Sequence, residues 1–166
     1  MAIIKPNNNT LSGITALPTG LGGKVLQVQS TQGINEFSST SSSFVDVTGL
    51  SLTITPSATS SKILLLCNVN TYQATINSYF AMRWERAISG GATTGLGHAT
   101  YGQSFARSAV ANDFWAGVGM TYLDAPSTTS EITYQVQGSN TSGTTNFQIS
   151  VNSTSTSNIM ALEIAG

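Results

Sequence analysis

Charge is what this sequence has least of. Asp, Glu, Lys and Arg make up 8% of its 166 residues, against about 25% in an ordinary soluble domain. The net charge is −1, and no cluster of Lys and Arg supplies the phosphate contacts that nucleic-acid binding needs. Cys67 is the single cysteine, so a disulfide scaffold is excluded. With His98 as the sole histidine, a zinc site has too few ligands. No run approaches the ~20 apolar residues of a membrane helix, and Met1-Ala2-Ile3-Ile4-Lys5-Pro6-Asn7 lacks the apolar stretch of a secretory signal. These absences predict a soluble protein made in a cytoplasm, with no cofactor, no nucleic acid and no membrane insertion.

Serine and threonine, about 46 residues together, fill the space that charge leaves. Polar surface built from hydroxyls and amides responds little to pH or salt. With so little self-repulsion, packing beside copies of itself is not opposed. Such a composition can also mark disorder, but 40% of the residues are hydrophobic and fall in strand-like runs. A chain of this length forms one domain and buries roughly 68–70% of its unfolded surface.

Residues 1–23 differ from the rest. Pro6, Asn7-Asn8-Asn9, Pro18, Gly20, Gly22 and Gly23 exclude a long helix, and Ile3, Ile4, Leu11, Ile14 and Leu17 stand isolated among them. An extended anchoring arm is expected there, with a β domain over 24–166. From Lys24 onward apolar residues alternate with polar ones, and turns recur about every ten residues, the pattern of an antiparallel sandwich. Strands are predicted over 24–32, 43–48, 50–55, 61–71, 77–88, 114–123, 131–138, 145–151 and 158–164. Their expected inward faces are Leu50, Leu52 and Ile54; Phe80, Met82 and Trp84; Val118, Met120 and Tyr122; Ile132, Tyr134 and Val136; Phe147, Ile149 and Val151; and Met160, Leu162 and Ile164. Thr48-Gly49, Thr55-Pro56-Ser57, Asp124-Ala125-Pro126 and Gly138-Ser139-Asn140 read as turns. Residues 103–113 fit a short helix or an irregular strand.

Strand 61–71 points to an assembly. Ile63, Leu65, Cys67 and Val69 share one face, yet Leu64 and Leu66 make the other face apolar too. A sandwich strand with water outside it should be polar there. Leu64 and Leu66 are therefore candidates for a subunit interface.

The constellations of catalysis are absent. Gly102-Gln103-Ser104-Phe105-Ala106 lacks the last glycine of a nucleophile elbow. Among the seven acids, Asp124 reads as a turn residue and Glu85 as the ion-pair partner of a neighbouring arginine, and no pair suggests glycoside cleavage. Tyr72, Tyr79, Tyr101, Phe105 and Trp115 fall outside the expected core. They suit a subunit interface or the stacking of sugars. The interface is favoured; Tyr79 is placed there with Leu64 and Leu66, and Tyr72, Tyr101, Phe105 and Trp115 are kept as candidate glycan contacts.

The run IIKPNNNTLSGITALPTGLGGKVLQVQ (3–29) resembles the opening of bacteriophage tail-fibre and virion structural proteins of aquatic phages. FVDVTGLSLTITPSATSSKILLL (44–66), MTYLDAPSTTSEITYQVQ (120–137) and NIMALEIAG (158–166) are similar to their β-rich modules. The resemblance implies a jelly-roll-like homotrimer on the virion, its arm docked to other virion proteins. Shaft repeats and heptads are absent, so a small tail-fibre or adhesin tip that contacts host glycans fits better than a whole fibre. A capsid decoration protein is the alternative, and a carbohydrate-binding or carbohydrate-cleaving module is the competitor of a different class.

Overall fold

The computed structural model describes residues 24–33, 36–73, 79–107, 114–142, 145–148 and 156–166. The expected arm, with Ile3, Ile4, Leu11, Ile14 and Leu17, lies outside the described residues, as do Ile149 and Val151. The described elements are eleven strands: β1 (Val25–Gly33), β2 (Glu36–Ser39), β3 (Val45–Ile54), β4 (Lys62–Gln73), β5 (Tyr79–Ile88), β6 (Thr93–Leu96), β7 (Ser104–Arg107), β8 (Phe114–Asp124), β9 (Ile132–Ser142), β10 (Thr145–Gln148) and β11 (Ser157–Ile164). The fold is all-β, and every strand pair is antiparallel.

Two sheets result. In the first, the order is β1-β11-β4-β8, and β10 takes over from β11 along β4 and carries β2 on its other side. In the second, the order is β3-β9-β5, with β7 and then β6 following one another along the free edge of β5. The pairs β1·β11, β3·β9, β4·β8 and β5·β6/β7 are nested. That is the pairing of one long antiparallel ribbon rolled about its axis, a jelly roll.

The core lies between the sheets, because alternation gives each strand one apolar side. Ile63, Leu65, Cys67 and Val69 of β4 and Ile159 and Ala161 of β11 meet Leu50, Leu52 and Ile54 of β3, Phe80, Met82 and Trp84 of β5, and Ile132, Tyr134 and Val136 of β9. Met120 joins them, with Val118 and Tyr122 packed at the margin. Each large side chain withdrawn in this way contributes about 1.5–3 kcal/mol.

Several local expectations are corrected or completed. The segments 43–48 and 50–55 are one strand, β3, in which Thr48-Gly49 forms a bulge rather than a turn; Gln135 Nε2 donates to the carbonyls of Val47 and Leu50 there. Gly138-Ser139-Asn140 runs within β9, buried and paired with β5. β2 and β6 have too few apolar residues to be legible as strands. On β11 the inward side is Ser157, Ile159, Ala161 and Glu163, and Met160, Leu162 and Ile164 point outward. Both sides of β11 carry apolar residues, so periodicity could not tell them apart. Residues 104–107 of the ambiguous stretch are strand β7.

Glu163 can sit inside because the fold satisfies it. Ser57 donates to Oε1 through its amide at 2.7 Å and its hydroxyl at 2.6 Å, and Gln27 Nε2 donates to Oε2 at 2.7 Å. Burial alone would raise the carboxyl pKa. The hydrogen bonds outweigh it and hold the group at about 2, with help from the neighbouring Ser61 hydroxyl. A second polar clamp joins the two sheets. Arg86 of β5 donates to both oxygens of Asp124, at the end of β8, at 2.8 and 3.0 Å, and Tyr134 of β9 donates to Asp124 Oδ2 at 2.6 Å. Burial, then the Asp124 hydrogen bond and charge, push the Tyr134 phenol far above its ordinary range.

Candidate functional site

The outer face of the second sheet carries the positions that alternate with Phe80, Met82 and Trp84: Tyr79, Ala81, Arg83 and Glu85. Across the ladder, Phe105 lies opposite Ala81 and Arg107 opposite Tyr79. Gln137 of β9 sits opposite Arg83 and organises the centre of this face. Its Oε1 accepts Arg83 Nε–H at 2.8 Å, and its Nε2 donates to Asp46 Oδ1 and Glu85 Oε2, both at 2.9 Å. Glu85 therefore meets Arg83 through an amide rather than as the expected ion pair. The acid that does pair with an arginine is Asp124, read from sequence as a turn residue, and its partner is Arg86.

The Arg83 guanidinium lies over the Phe44 ring, 4.2 Å from its centroid. It also takes the space that a side chain at position 95 would occupy, since a Cβ on Gly95 would come within 2.5 Å of Arg83 Cζ. Beside it a depression of about 390 Å³ is lined by Ser42, Ser43, Phe44, Arg83, Ala99 and Thr100.

One wall of that depression is the loop after β6, fixed by its own backbone. His98 and Gly102 exchange amide hydrogen bonds at 3.0 and 2.8 Å, and His98 Nδ1 accepts from the amides of Thr100 and Tyr101, each at 3.1 Å. Gly102 is required here. Its φ is +61°, and a Cβ would fall within 2.2 Å of the Met82 carbonyl oxygen. The loop sets His98 against Tyr101 (5.3 Å between centroids), Tyr101 edge-on to Phe105 (5.3 Å) and Phe105 on Tyr79 (5.6 Å), with Arg107 4.9 Å above Tyr79. The result is an aromatic band with Tyr101 54% and Phe105 44% exposed.

The outer face of the first sheet is different. One lateral row across its four strands is wholly apolar: Val28, Leu162, Leu64 and Leu123. The next row holds Met160 and Leu66. Val28 is 50% and Leu123 53% exposed, and Leu64 and Leu66 are half-buried at the centre. Further along β4 the same face turns polar at Asn68 and Asn70, then ends in Tyr72 and Trp115, whose rings lie 4.3 Å apart.

The structure thus regroups the residues singled out by sequence. Leu64 and Leu66 stand together. Tyr79 is on the opposite sheet, in one band with Tyr101 and Phe105, whereas Tyr72 and Trp115 form a separate pair on the Leu64 side. Missing from the sequence reading were Phe44, Arg83 and Gln137, which strand pairing brings together from segments about forty and fifty residues apart. Cys67 is buried, and burial pushes its thiol up to about 11 despite a backbone hydrogen bond from Met120, so it is no nucleophile at neutral pH. Among the described residues no group of three His, Cys, Asp or Glu could hold a metal ion.

No family model matches the chain, and no curated protein does. Among solved structures, the VP2 subviral particle of infectious bursal disease virus is similar over 86% of this chain, with 15% identity and a TM-score of 0.43. The Gt strain of the same virus is similar over 84%, with 12% identity and a TM-score of 0.42. The chain spans 33% and 38% of the length of those two chains. At this distance the likeness leaves the fold to be read from the strand pairing itself.

Proposed function

We propose that this chain is a non-catalytic structural component of a bacteriophage particle. In this reading it is a homotrimeric jelly roll of the tail-fibre or adhesin type, displayed on the virion and anchored by residues 1–23. The observation that carries it is the apolar row Val28–Leu162–Leu64–Leu123 on the outer face of the first sheet. A row of that kind exceeds the scattered exposed residues of a monomer and calls for a partner. The partner is further copies of this chain, since a net charge of −1 hardly opposes self-association. Three copies, and the virion, follow from the sequence segments that resemble phage proteins. The opposite face, with its aromatic band and Arg83 depression, is then free to meet the host.

The test is to purify particles assembled with a chain labelled after residue 166, and with a chain lacking residues 1–22. The label is expected on the tail, and the shortened chain is expected to fold and stay off the particle. A label spread over the shell would replace the adhesin role with capsid decoration. A shortened chain that fails to fold would show that the arm is part of the domain.

A further inference from the structure

We propose that the Arg83 depression binds an acidic sugar, a pyranose bearing a carboxylate, and that the neighbouring aromatic band receives the adjoining ring. This deepens the adhesin reading above and rests on it. Arg83 has five N–H donors in a planar fork, and the fold uses one. Nε is held by Gln137, the guanidinium lies over the Phe44 ring and fills the space beside Gly95, and the two terminal amino groups make no hydrogen bond to any described residue. A half-buried guanidinium aligned in this way, with its outer edge unmet, is arranged for a planar bidentate anion.

The surroundings fit such a ligand. Arg83 is the one charged residue lining the depression. Asp46 and Glu85 are turned to Gln137 and form no ion pair with Arg83. Arg86, by contrast, is neutralised by Asp124 at 2.8 Å. The Ser42, Ser43 and Thr100 hydroxyls are exposed and accept or donate nothing within the described structure, so they are available to sugar hydroxyls. Ala99 and Thr100 connect the depression directly to His98 and Tyr101, where the band begins. Aromatic faces of this kind match the apolar face of a pyranose.

The experiment titrates the full chain by calorimetry with oligomers of galacturonate, glucuronate and mannuronate, each beside its methyl ester, and with sialyl-lactose beside lactose. At least one acid is expected to bind roughly ten- to hundredfold more tightly than its neutral counterpart, the range for a hydrogen-bonded charge. Arg83→Gln should remove that preference. Gly95→Ala, which keeps the charge and displaces the guanidinium, should weaken it as well, with the melting temperature of both variants confirming the fold. Tyr101→Ala should weaken acid and ester alike. The proposal is overturned if no acid is preferred, if the preference survives Arg83→Gln, or if a glutamate-rich peptide binds as well as the best sugar. A chain that trimerises and sits on the tail yet shows no acid preference fails this inference alone. A chain that prefers the acid but stays monomeric fails the assembly reading instead.

Discussion

Leu64 and Leu162 lie directly opposite each other on β4 and β11, and both point away from the core. Leu162 stands beside Val28 and Leu64 beside Leu123, so the apolar side chains continue from one edge of the sheet to the other. Leu64→Asp or Leu66→Asp places a carboxylate at the middle of that surface. For the trimer proposed above, light scattering should show a shift towards monomer with the melting of the domain little changed. An unchanged trimer would remove this face from the interface.

Asp124 is the shared acceptor of Arg86 and Tyr134, and Asp124→Ala strands a partly buried guanidinium. A loss of about 3 kcal/mol is expected in urea unfolding, the scale for breaking a buried pair from one side. Adding Arg86→Met should restore part of it, because removing both partners leaves no uncompensated charge.

Glu163 makes stability depend on acid. Its folded pKa is lowered from the ordinary 4.5 to about 2, so the carboxylate stabilises the fold above pH 4.5. That contribution declines as the pH falls from 4.5 towards 2. Thermal melts across this window should show a falling midpoint, and Glu163→Gln should flatten the slope while lowering stability at neutral pH.

Gly102→Ala tests the loop that carries the aromatic band. The positive φ alone should cost roughly 1–3 kcal/mol, and the approach to the Met82 carbonyl adds to it. Near-ultraviolet circular dichroism should change through Tyr101 and Phe105, while the far-ultraviolet spectrum remains that of a β protein.

Period-two alternation was enough to place most of the long strands, and for β3, β5 and β9 it also gave the buried side. It failed on β11, where a buried carboxylate breaks the expected polarity and only the distant Ser57 and Gln27 make that carboxylate tolerable. The glycan candidates were legible as aromatics outside the core, but their grouping depends on which sheet each strand joins. Tyr72 and Tyr79 are seven residues apart in sequence and belong to opposite outer faces. Arg83 carried no local signal, since its setting comes from Phe44, Gly95 and Gln137 on three other segments.

The position of β11 between β1 and β4 has a consequence for synthesis. Until residues 157–164 have been made, β1 has no strand partner among the described residues and β4 lacks its partner over residues 62–68, since β10 meets that edge only at Tyr72 and Gln73. The nascent first sheet is therefore held open, with backbone groups exposed that invite pairing with other nascent chains. Because β1 and β11 lie more than a hundred residues apart in sequence, closing the first sheet is a long-range event, and misassembly between unfinished copies would begin at these open edges.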